Sequence, residues 1–122
     1  ADNIATIKVA FSEDSGVTFG PAFQVDSGKS VGRVGTLMLA TGEALISWVE
    51  WTSDGEVLML CRATKKDGCV ARQTITEHAA AGSFNFPKLA RSGDTIYLAW
   101  TQPIDSEAGF STIRMVVLDL SD

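Results

Sequence analysis

At 122 residues the chain has the length of one domain, and with 45% hydrophobic residues it holds enough apolar material to bury a core. Ten Lys and Arg against 15 Asp and Glu leave a net charge of −5 without charge blocks. The basic stripe that phosphate binding needs is absent, which argues against a nucleic-acid partner. No apolar run approaches the ~20 residues of a membrane-spanning helix, so no membrane partner is expected, and no residue pattern calls for a cofactor.

Short apolar runs of period two, bounded by Gly, Asp and Ser, recur along the chain, and no stretch holds a 3.6-residue period. They predict an all-β chain of nine strands, at about 4–11, 18–26, 33–40, 44–51, 57–63, 70–77, 86–91, 95–101 and 112–119. Between the first two lies Ser12-Glu13-Asp14-Ser15-Gly16-Val17-Thr18-Phe19. Its residue types suit a tight hairpin: Asp14 accepts backbone N–H groups, and Gly16 takes a positive φ without a Cβ clash. Thr18 favours the returning strand, and Phe19 is expected to pack back over the turn as an apolar plug. Asp54-Gly55 predicts the turn after strand 44–51.

Cys61 and Cys69 flank Thr64-Lys65-Lys66-Asp67-Gly68, so a hairpin centred on Lys65 sets them opposite each other. Two readings stay open there, a cross-strand disulfide or two reduced, half-buried thiols; a disulfide would favour a secreted or periplasmic address. Two cysteines and a single histidine, His78, make no metal site. Glu77-His78-Ala79-Ala80-Ala81 is helix-permissive but too short to stand alone before Gly82, and reads as a loop.

Self-comparison reveals a repeat. Gly42 to Gly93 spans 51 residues, Trp48 to Trp100 spans 52, and Gly16 to Gly68 spans 52. The hairpin from Leu39 to Trp48 resembles the one from Leu89 to Trp100, and Thr64 to Val70 is a degenerate copy of the first turn with Lys66 where Asp14 stands. A repeat of about 50 residues holding four short strands is the size of one β-propeller blade. The chain then divides into an outer two-stranded hairpin at 1–28, a complete four-stranded antiparallel blade at 29–80, and the first three strands of the next at 81–122. This partial propeller amounts to about two and a quarter blades, short of the roughly four to eight that close a ring. Closure would need either the remaining blades of a longer chain or self-association, because an open segment exposes apolar edges at both ends.

The spacing Ser12-x-Asp14-x-Gly16-x-Thr18-Phe19 matches the Asp box. Together with Gly32-Arg33-Val34, Glu43 to Glu50 and Phe86 to Thr101, it makes the chain resemble the C-terminal part of bacterial sialidase-like proteins carrying BNR repeats. The resemblance covers nearly the whole chain and implies a fold more than a reaction, because Asp-box propellers also serve as non-hydrolytic modules. It implies that Ser12, Asp14, Gly16, Thr18 and Phe19 are structural and lie on the face away from a ligand site. The ligand face would be made by Ser27 to Arg33, Glu50 to Glu56, Glu77 to Phe86 and Gln102 to Ser111. Sialidases resemble one another in three arginines gripping the substrate carboxylate, a Tyr nucleophile assisted by Glu, and an Asp acid/base.

Arg33, opening a strand beside the channel, is the best candidate for an anion-gripping arginine; the plainer role is a solvated or salt-bridged strand-end residue. Glu50 is a candidate to assist a nucleophile, against the plainer role of an exposed rim carboxylate. Tyr97, the single tyrosine, alternates with Ile96 and Leu98 as a packing residue, so no nucleophile is legible. Arg62, Arg91 and Arg114 share no common wall. Trp48 and Trp100 occupy equivalent repeat positions and predict packing, whereas Trp51, Phe84, Asn85 and Phe86 are candidates to contact a sugar. The expected function is a sialidase-like segment acting as a structural or glycan-facing module without a complete catalytic set. Two alternatives stand beside it. One is a piece of an exo-α-sialidase, a glycoside hydrolase inactive as this fragment, whose remaining catalytic residues lie outside the chain. The other is a ring-forming assembly protein.

Overall fold

The computed structural model describes residues 6–53, 55–79, 85–105 and 110–119. Among the described residues there is no helix, and the strands are β1 (Lys8–Val9), β2 (Phe23–Gln24), β3 (Ser30–Met38), β4 (Ala44–Thr52), β5 (Gly55–Thr64), β6 (Gly68–Ala79), β7 (Asn85–Ser92), β8 (Thr95–Asp105) and β9 (Phe110–Asp119). They form three antiparallel sheets, ordered β1-β2, β3-β4-β5-β6 and β7-β8-β9.

The first two strands are far shorter than their apolar runs predict, and the turn between them explains why. Residues 13–20 are exposed, and their backbone is served by side chains rather than by a ladder. Ser12 Oγ accepts from Gly16 N at 2.8 Å, and Asp14 Oδ1 accepts from Thr18 N at 2.8 Å. Backbone pairing across the hairpin is confined to the Lys8↔Gln24 and Val9↔Phe23 pairs of β1 and β2 and to the flanking bonds in which Gly20 N donates to Phe11 O and Val25 N to Ile7 O. Phe19 is not the expected plug. Phe11 and Phe23 stack with ring centroids 6.1 Å apart and fill the space behind the turn, leaving Phe19 in solvent.

The second sheet is the middle layer. Its central strand β4 is buried from Ala44 to Glu50, with none of the in-and-out alternation of a one-sided strand, because both of its faces are covered. Ala44, Ile46 and Trp48 point with Met59, Cys61 and Ala63 toward Ile7 and Val25 of the first hairpin. Leu45 and Val49, with Leu58 and Leu60, point the other way, onto Ile96, Leu98 and Trp100 of the third sheet. Each side chain of this size that is fully buried contributes about 1.5–3 kcal/mol. Trp48 and Trp100 are both buried, each on the face turned toward the preceding sheet, as their equivalent repeat positions predict.

Cys61 and Cys69 form a disulfide with their Cα atoms 5.8 Å apart. They do not face each other directly. Cys69 pairs with Ala63 and Cys61 with Arg72, and the extra residue Val70 between Ala71 and Cys69 makes the bridge diagonal. Gly35 matters for a different reason: a Cβ there would lie 2.8 Å from the buried Ser47 Oγ, so only glycine lets β3 approach β4 and β7 this closely.

Candidate functional site

Antiparallel pairing sorts the connections onto two ends. The Asp14 turn shares one end with the turns around Thr41–Gly42 and Thr64–Lys66, which together line one groove with Phe11 and Met38. The opposite end holds the approach to β3, the β4–β5 turn and the start of β7. These are the segments expected to form a ligand face.

At that end β3 and β7 each carry a bulge at equivalent positions. Between the pairs Gly32↔Val49 and Gly35↔Ser47, β3 has one residue more than β4; between Asn85↔Thr101 and Lys88↔Ala99, β7 has one more than β8. The extra backbone puts Arg33 at φ 56° and Phe86 at φ 52°, left-handed conformations that cost a non-glycine residue about 1–2 kcal/mol. Bulges re-aim side chains. Here they set Arg33, Val34, Phe86, Pro87 and Lys88 around an open groove of about 380 Å³. Phe86 is 76% exposed, an uncommon position for an aromatic ring.

Arg33 also reaches back to the sheet. Its Nη1 lies 3.8 Å from Oε2 of Glu56, a carboxylate buried at the start of β5. The salt-bridged role is therefore the one the structure gives Arg33. A guanidinium has five N–H donors in a planar fork, more than one carboxylate can accept, so Arg33 can hold Glu56 and still meet an anion in the groove. Trp51, which pairs with Glu56 across β4 and β5, is exposed at the same end.

Glu50 departs from both roles expected of it. It is buried rather than exposed on a rim, and its oxygens are engaged. Oε1 accepts from Trp48 Nε1 at 2.8 Å and from Ser27 N at 2.9 Å, while Oε2 accepts from Ser27 Oγ at 3.0 Å. Burial alone would raise its carboxyl pKa, but the bonds from Trp48 and Ser27, with the charge of Arg72, hold it below the ordinary 4.5. Trp51 N donating to Lys29 O ties down the same connection. Glu50 thus clamps residues 27–29 onto the end of β4, and it faces the first hairpin, on the opposite side of the sheet from Glu56.

The structure brings together Arg33, Trp51, Phe86 and the unanticipated Glu56 and Lys88, and it separates Glu50 from them. Phe84 lies outside the described residues, as do the side chains of Asn85 and His78. Tyr97 pairs with Val117 on the face of the third sheet turned away from Arg33. Arg62 lies 3.9 Å from Glu43 at the Asp14 end. Glu56 was findable in the sequence, since it keeps the period-two phase of Leu58 and Leu60 and so had to be a carboxylate on a buried face. At the Asp14 end, the carboxylate of Asp14 is occupied by Ser12 and Thr18, and Lys65 pairs with Glu13. No protein-family model matches this chain, and comparisons with curated proteins and with solved structures find no match.

Proposed function

We propose that the chain is a segment of a sialidase-like β-propeller, its second and third sheets acting as neighbouring blades, and that it is a glycan-facing module without a complete catalytic set. The observation that carries this reading is the groove at the paired bulges. Two cations, Arg33 and Lys88, stand beside the exposed ring of Phe86, with Trp51 at the same end. A guanidinium matches a carboxylate in shape and charge, and an exposed ring offers an apolar face to a pyranose. The ligand class is a sugar bearing a carboxylate. The disulfide favours an oxidising compartment, hence a secreted or periplasmic address.

Tryptophan fluorescence tests the reading, because Trp51 is exposed while Trp48 and Trp100 are buried. Titration with a carboxylate-bearing oligosaccharide should change the emission, and its neutral counterpart should not. Arg33→Ala should weaken the response about tenfold or more, the worth of a hydrogen bond to a charged group. Equal responses to both sugars would overturn the assignment. A fluorogenic sialoside should release nothing; release would favour the hydrolase reading instead.

A further inference from the structure

We propose that the cleft at the Asp14 end is a second binding site, and that its ligand is a neutral oligosaccharide. The Asp14 turn leaves one aromatic ring without a packing role. Phe11 and Phe23 fill the space behind the turn, so Phe19 stands 63% exposed beside a cleft of about 610 Å³. Ligand sites span about 300–1,000 Å³, and this cleft falls inside that range. A second groove of about 460 Å³ shares Phe11, Glu13, Lys65 and Lys66 with it, so the two adjoin at the Lys65–Glu13 ion pair.

The occupant follows from the lining. The first groove sets Glu13 and Asp14 against Lys65 and Lys66; the second sets Glu13 and Glu43 against the same two lysines. Each set sums to zero charge, so the lining complements an uncharged ligand. It also joins an apolar surface to hydrogen-bonding groups of both kinds. Phe19 and Pro21 give the apolar surface, suited to the C–H face of a pyranose. Lys66, which has no ion-pair partner among the described residues, offers N–H donors to hydroxyl oxygens. Asp14 accepts from Thr18 N, Thr18 Oγ1 and Ser12 Oγ, which leaves one of the roughly four acceptor sites of a carboxylate for a hydroxyl. A neutral sugar, apolar on its faces and hydroxylated at its edge, meets all of these conditions. Two adjoining grooves make room for more than one ring. The Arg33 groove differs in kind, with two cations and no carboxylate in its lining, and it lies at the opposite end. This site therefore does not depend on a ligand there.

Two-dimensional amide NMR of the full chain, titrated with lactose, cellotriose and maltotriose, tests it. At least one of these sugars should shift the amides of Phe19, Gly20 and Lys66, with a dissociation constant of about 1 mM, as suits an open cleft. Phe19→Ala, at an exposed ring outside the Phe11–Phe23 stack, should raise that constant about tenfold. Lys66→Met, which keeps the stem and removes the donors, should raise it about fivefold. Ile113→Ser, at an exposed apolar position on the third sheet, should leave it unchanged. Absence of shifts with all three sugars, binding indifferent to Phe19→Ala, or tighter binding of sialyllactose than of lactose at these amides would overturn the proposal.

Discussion

Asp14 closes its turn with both carboxylate oxygens. Oδ1 accepts from Thr18 N and Ser12 Oγ, and Oδ2 accepts from Thr18 Oγ1 at 2.5 Å. The Thr18 hydroxyl, then its amide, then Ser12 hold the carboxyl down at about 2 from its ordinary 3.8. A depressed folded-state pKa contributes stability that is complete above the unfolded value and lost as pH falls through the folded one. The turn should therefore keep its bonds at about pH 4 and lose them as the pH falls through about 2. The Thr18 amide shift in an NMR titration reports this directly: a midpoint near 3.8 would mean that the bonds do not form in solution. Glu50 follows the same sign but sits in the interior. Glu50→Ala would leave the buried Trp48 Nε1 and the Ser27 amide without their acceptor, an expected loss of about 1–3 kcal/mol in urea unfolding. At both residues the spacing of donors and acceptors matters more than the charge itself. For Asp14 that spacing was local and readable; for Glu50 it joins positions 23 residues apart and was not.

At the level of elements, the strands from β3 onward fall within a few residues of their predicted positions, because alternating apolar residues and the turns between them are short-range properties. The departures come from side chains that compete with the ladder. The Asp14 turn shortens β1 and β2, and bulges shift the register of β3, β6 and β7. The β5–β6 hairpin adds a covalent tie. Its bridge closes a loop of sequence separation 8, which the chain-entropy relation converts to about 2.5 kcal/mol. The double variant Cys61→Ala with Cys69→Ala should lose about that much in denaturant unfolding while keeping its circular dichroism. An unchanged midpoint would show that the bridge does not restrain the unfolded chain.

For the whole molecule, stacking decides what each face does. The second sheet is covered on both sides, so the residues of its inner strands β4 and β5 read as core even where the sequence places a Ser or a Glu. The third sheet is covered on one side, which leaves β9 apolar and in solvent. The sequence alone determined the all-β class, the order of the described strands, and the packing role of Trp48 and Trp100. Each of these follows from periodicity or from a repeat within a few turns of chain. Tertiary structure decided the rest: the burial of Glu50, the meeting of Arg33 with Glu56, and the gathering of Arg33, Phe86 and Lys88 about one groove. Those residues are brought together only when the sheets stack and two bulges turn the backbone, and neither event leaves a mark in local spacing.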